Sequence, residues 1–136
     1  MKGTSKMTKP LALIIEDNED QNLTFTTALE QAGYQAESIF DGDIALQRLK
    51  QIVPDLVVLD LHLPNTNGSI ILRQIRTDPR LTATRVVMAT ADNAFASGLE
   101  FQTEVVLLKP ISFSQLKQLA MRYILAVKKT DDPENI

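Results

Sequence analysis

Three carboxylates, a hydroxyl and an ammonium each follow a short apolar run in this chain. Glu16-Asp17 follows Leu11 to Ile15, Asp60 follows Leu56 to Leu59, Thr90 follows Arg85 to Ala89, and Lys109 follows Glu104 to Leu108. Singly, each has a bland explanation: helix-capping acids, a hydroxyl capping Asp92 or Asn93, and a surface lysine with its stem on apolar ground. Together they point to chemistry. A carboxylate at the end of a buried strand is costly to desolvate without a partner or a task. If these runs are neighbouring parallel strands, about 4.8 Å apart, Glu16, Asp17 and Asp60 crowd together with Thr90 and Lys109 on their flank. Carboxylates about 5 Å apart repel by roughly 3 kcal/mol per pair at an effective dielectric near 20. One lysine cannot neutralise three of them, which leaves protonation or a divalent cation. An oxygen-only site with room for water suits Mg²⁺. Such an ion also takes phosphoryl oxygens, which would let Asp60 attack phosphorus. Lys109 would then offset the charge of the transferring group, and Thr90 would donate a hydrogen bond to it once attached.

The elements that must carry these groups are legible as an alternation. Leu11 to Ile15 reads as a first strand, and Asn18-Glu19-Asp20 then caps a helix over Glu19 to Ala32 that stops at Gly33. Gln35 to Phe40 alternates weakly and suits an edge strand. Ile44, Ala45, Leu46, Leu49 and Ile52/Val53 have helical spacing, with Asp41 or Asp43 as cap and Pro54 as the stop. Asp55 to Leu59 is the central strand, its apolar run Leu56 to Leu59 reading as buried on both faces. Asn67-Gly68-Ser69 opens a third helix with Ile70, Ile71, Leu72 and Ile75 as its apolar side, ended by Asp78-Pro79. Arg85 to Ala89 and Glu104 to Leu108 are the last two strands, separated by a segment, Asn93 to Glu100, thin in apolar residues. Ser112 with Gln115 makes a capping box for a final helix with Phe113, Leu116, Leu119, Ala120, Tyr123, Ile124 and Val127 inward. Five strands alternating with helices predict an α/β fold, a doubly wound, flavodoxin-like parallel sheet of order 2-1-3-4-5 with helices on both faces. Ligands in such sheets bind at the carboxyl ends of the strands.

Composition narrows the class further. The 136 residues suffice for one domain with its own core, read here as residues 10–127, between a flexible arm over 1–9 and a charged tail over 128–136. With no Cys and a single His, thiolate and multi-histidine metal sites are out. A net charge of −3 argues against nucleic acid as a partner. The absence of a long apolar run or a secretory leader predicts a cytoplasmic protein without membrane association.

The acidic pair Glu16-Asp17, Asp60 with Pro64 and Gly68 four and eight residues on, Thr90-Ala91 and Lys109-Pro110, all in order at strand ends, resemble the receiver domain of bacterial two-component response regulators, from about Pro10 to Val127. The resemblance implies that Asp60 accepts a phosphoryl group from a sensor histidine kinase or phosphotransfer protein. It implies Mg²⁺, with Mn²⁺ as substitute, on Asp17, Asp60 and the backbone carbonyl of His62, with Glu16 acting through water. Lys109 would pair with the phosphate, and the Lys109-Pro110 peptide would be cis. His62 is expected to face solvent, with only its carbonyl engaged. In the resembled family an aromatic commonly stands three residues before the lysine; Val106 stands there, and the Thr90–Lys109 interval is short, without a clear long amphipathic helix.

Three functions compete. A stand-alone phospho-acceptor switch, not a turnover enzyme, would change its affinity for an unidentified downstream protein as a monomer or weak homodimer. A phosphorylation-independent interaction module is the alternative that Val106 motivates. A small Mg²⁺-dependent phosphatase is disfavoured because His62, not a second Asp, lies two residues after Asp60.

Overall fold

A computed structural model describes residues 8–92 and 102–131. The expected strand-helix alternation is present: β1 (Leu11–Ile15), α1 (Glu19–Ala32), β2 (Gln35–Ile39), α2 (Gly42–Leu49), β3 (Leu56–Asp60), α3 (Gly68–Thr77), a 3₁₀ turn (Pro79–Leu81), β4 (Arg85–Thr90), β5 (Val105–Leu108) and a last helix, here α4 (Phe113–Asp131). The sheet is parallel throughout, in the order β2-β1-β3-β4-β5. Its register pairs Ile15 with Leu59 and Asp60 with Ala89, so the strands finish level along one edge.

Strand alternation divides the core in two. Leu13, Ile15, Val57, Leu59, Val86 and Met88 point to one face, where α2 and α3 cover them with Ala45, Leu49, Ile71, Leu72 and Ile75. Ala12, Ile14, Leu56, Val58 and Val87 point to the other, under α1 and α4 through Phe25, Ala28, Leu29, Leu116 and Ala120. All five residues of β3 are buried, as a central strand covered on both faces must be. Gly33 closes α1 at φ 111°, a left-handed conformation that glycine adopts without Cβ strain. Behind it, the Tyr34 hydroxyl donates to the carbonyl of Ala120 at 3.0 Å, tying the start of β2 to α4.

Several boundaries move. Helix α2 ends at Leu49, not at Pro54: Gln51 and Ile52 bond back to Arg48, and the chain leaves the helix there. It must return to the base of the sheet, where the Asp55 N–H donates to Leu11 O and the Leu11 N–H to the Asp55 carboxylate, both at 2.8 Å. Ile52 still packs on the core, but Val53 is exposed. Strand β3 runs through Asp60 itself, so the carboxylate sits on the last rung rather than beyond it. Ile44 and Ile70, read as core-facing, are exposed, because each lies in the first turn of a short helix on the side away from the sheet. Asp41, of the two candidates, caps α2. The Ser112 hydroxyl accepts the Gln115 N–H at 3.0 Å. Helix α4 continues to Asp131, into the stretch read as tail. The segment Asn93 to Glu100 and the side chain of Val127 lie outside the described residues.

Candidate functional site

The level finish of β1, β3, β4 and β5 brings the five singled-out groups to one end of the sheet. One carboxylate oxygen each from Glu16, Asp17 and Asp60 lies within 4.8 Å of the others. Glu16 and Asp60 are buried and Asp17 is exposed at the rim. Lys109, from the end of β5, donates to Glu16 Oε1 at 2.8 Å and stands 3.5 Å from Asp60 Oδ2. The Lys109-Pro110 peptide is cis, as the resemblance implies. The Thr90 side chain is fully buried beside them, and its Oγ1 accepts the Asp92 N–H at 3.0 Å. The local cap on Asp92 is present, and a hydroxyl that accepts one bond keeps a proton to donate.

Burial above all, and then the negative charge of Glu16, pushes the Asp60 carboxyl up to about 7, against the pull of Lys109 and of the His62 N–H, which donates to Asp60 Oδ1 at 3.1 Å. The His62 ring is half exposed, and its Nε2 lies 3.9 Å from Asp92 Oδ2, so these two side chains face each other over the mouth of the site. Beside the cluster, Asp20, Gln21, Thr24 and Phe25 of α1 and Lys109 and Pro110 line an open cleft of about 510 Å³.

The loop after β3 closes on itself. The Gly68 N–H donates to Leu61 O at 2.8 Å, and a Cβ at Gly68 would overlap the Asp60 carbonyl oxygen and approach Leu61 Cα to 2.8 Å. Glycine is required here for space, since its φ is not positive.

One positioning residue escaped the sequence reading. Asn22, on the buried side of α1 in line with Phe25 and Leu29, is fully buried. Its amide donates to Glu16 O at 2.9 Å and Ile39 O at 3.1 Å, and accepts from Thr26 Oγ1 at 2.9 Å, fixing the backbone at the acidic pair. The available signal was a polar residue at an apolar-stripe position. Asn22→Leu, which keeps the volume, leaves the Glu16 carbonyl buried without that donor. It should cost about 2 kcal/mol, read as a lower midpoint in urea unfolding with the slope unchanged; an unaltered midpoint would show that the bond contributes nothing.

This arrangement matches a known family. The response regulator receiver domain model covers residues 12–121. The chain belongs to the response-regulator receiver family. This receiver is 29% identical over 128 residues to the phosphate regulon transcriptional regulatory protein PhoB of Rhizobium meliloti (strain 1021), covering 92% of this chain and 55% of that protein. It spans about half the length of curated relatives of this kind. Among solved structures, the signal receiver domain of a signal transduction histidine kinase from Syntrophus aciditrophicus superposes with a TM-score of 0.77 at 28% identity, covering 90% of this chain and 96% of that one. The CheY-like receiver domain from Methylobacillus flagellatus gives 0.75 at 28%, covering 85% and 99%.

Receivers as a family bind Mg²⁺ in an acidic pocket, and this receiver carries an acidic cluster at Glu16, Asp17 and Asp60. The donor set fits that ion: all oxygen, one carboxylate at the open rim, and the Lys109 ammonium alone against three carboxyl groups among the described residues. Among the described residues, no helix is long and apolar enough to cross a membrane.

Proposed function

We propose that this receiver takes a phosphoryl group on Asp60 from a sensor histidine kinase or phosphotransfer protein, in a Mg²⁺-dependent step, and signals through altered binding to a downstream protein. The observation that supports this most is the meeting of Glu16, Asp17 and Asp60 within 4.8 Å, with the Lys109 ammonium against two of them. In the transfer, an Asp60 oxygen forms a bond to phosphorus while the donor's P–N bond breaks, and the imidazole leaves with that electron pair. Asp17, Asp60 and the His62 carbonyl would hold the ion, with Glu16 helping through water. When bound, Mg²⁺ supplies positive charge to the phosphoryl oxygens and removes the repulsion among the carboxylates.

Lys109 can exchange Glu16 for the phosphoryl group with a small swing, since it already lies 3.5 Å from Asp60. The Thr90 hydroxyl would donate a hydrogen bond to a phosphoryl oxygen. The cleft along α1, which Lys109 lines, would receive the donor protein beside the acidic cluster. Water would end the state by attacking phosphorus as the Asp60 O–P bond breaks, releasing inorganic phosphate and returning the carboxylate, so the catalysis expected is limited to the protein's own phosphorylation and dephosphorylation. A protein partner is favoured over nucleic acid by the net charge of −3.

Incubation with Mg²⁺ and acetyl phosphate should add the mass of one phosphoryl group, absent in Asp60→Asn and in chelator. No mass gain in the wild-type protein would refute the proposal. Alanine at His62 or Asp92, which face each other across the mouth, should change the rate at which the phosphoryl group is lost; identical decay in both variants would remove them from the water's route.

A second reading rests on Val106. It pairs with Met88 in the sheet and packs into the core face under α2 and α3, with no aromatic ring at this position to swing inward. Under it, partner binding ignores Asp60, and beryllofluoride leaves partner affinity unchanged.

A further inference from the structure

The turn that follows Asp60 is fastened at its tip to a different part of the sheet edge. Asn65 takes φ 66°, the one non-glycine residue with positive φ among those described. Asparagine tolerates that conformation better than most residues. Its amide nitrogen donates to Asp41 Oδ2 at 2.5 Å. The other oxygen of the same carboxylate accepts the N–H groups of Asp43 and Ile44, capping α2. Next along the turn, the Thr66 hydroxyl bonds to Asp43 Oδ1, and the Thr66 backbone lies so close to Gly42 that a Cβ there would overlap its carbonyl oxygen. Asp41-Gly42-Asp43 thus clasps Asn65-Thr66, while Gly68 N–H to Leu61 O closes the base of the same turn. Between base and tip lies His62, whose N–H touches Asp60 Oδ1.

We propose that the Asp41–Asn65 pair is a positioning clasp that holds the 61–67 turn in the conformation needed at Asp60, tuning ion binding from outside the acidic cluster. Neither residue touches the reacting carboxylate. The consequence for Mg²⁺ rests on the function proposed above; the clasp itself does not. A charge-assisted bond is stronger than a neutral one. Leu61 and Leu63 anchor the start of the turn in the core, whereas its exposed tip at Asn65 depends on these polar bonds for its order.

The pair allows an inversion test. Asn65→Gly keeps the positive φ and removes the bond. Asn65→Asp sets two carboxylates against each other. Adding Asp41→Asn to Asn65→Asp restores a donor–acceptor pair with its direction reversed, and asparagine still caps α2. In the metal-free protein, amide hydrogen exchange over residues 61–67 should quicken about tenfold in both single variants. It should return to the wild-type rate in the double variant. Calorimetric Mg²⁺ affinity should fall about fivefold in Asn65→Asp and recover in the double variant. Simple electrostatics predicts the opposite, since an added negative charge would tighten cation binding. Equal exchange in all four proteins, or a defect that Asp41→Asn fails to reverse, overturns the clasp. Absence of Mg²⁺ binding in the wild-type protein would instead defeat the proposed function while the exchange measurement still reports on the clasp.

Discussion

Asp60→Asn is expected to raise the melting temperature of the metal-free protein at pH 8 by about 5–10 °C, while abolishing phosphoryl acceptance. The residue proposed as most necessary for function is thus the one whose charge most burdens the fold. Asp60 is 5% exposed and Glu16 1%. Burial, then Glu16, lifts the Asp60 carboxyl to about 7 in the folded protein, from an ordinary value of 3.8. The folded state therefore holds a proton on Asp60 that the unfolded chain has already released. Stability from this group is fully present below about pH 4, declines as pH rises, and is gone above about pH 7. Asparagine has no proton to lose. The gap between the two proteins should thus be wide at pH 8, narrow near pH 5, and narrow again at pH 8 in millimolar Mg²⁺, which favours the ionised carboxylate. Melting curves with chelator and with magnesium at both pH values decide it. Parallel wild-type and variant profiles would mean that Asp60 bears no such strain.

Gly68→Ala should be as damaging as Asp60→Asn is stabilising. The added methyl has no room: it meets the Asp60 carbonyl oxygen and stands 2.8 Å from Leu61 Cα and 2.9 Å from Leu61 O. All three are backbone atoms, which cannot rotate aside as a side chain does. Either α3 withdraws from the sheet, opening the packing of Ile71 and Leu72, or the end of β3 shifts and takes Asp60 with it. Overpacking of this kind costs about 1–3 kcal/mol, which lowers the melting temperature by about 4–12 °C in a domain of this size. Phosphoryl acceptance should fall along with it. A variant that melts within about 2 °C of wild type would show that the turn yields easily.

Much of this was readable in advance because apolar runs report burial directly. Leu56 to Leu59 could belong only to a strand covered on both sides, and four such runs ending in Glu16-Asp17, Asp60, Thr90 and Lys109 implied one shared edge. The register that levels those ends confirms the inference. What escaped the reading depends on how elements meet. Ile44 and Ile70 have the hydrophobicity of core residues, yet short helices bury only a narrow stripe, and both lie beside it. Ile52 and Val53 continue the spacing of α2, but the chain must leave the helix to bring Asp55 back to Leu11. Asn22 and the Asp41–Asn65 pair are polar groups whose partners lie on other elements; periodicity shows which way a residue faces and is silent about what it meets.

The bond from Tyr34 to Ala120 spans 86 positions of the chain, and it bears on how the molecule is made. During synthesis, α1 and the first three strands emerge with Phe25, Ala28, Leu29, Ile14 and Val58 complete on one face, while Leu116 and Ala120, which share their cluster, are not yet translated. Until α4 arrives, that face is open to water and to other chains. The last helix is the lid of this half of the core, and a ribosome stalled before Ser112 would display an apolar surface that the finished protein never shows.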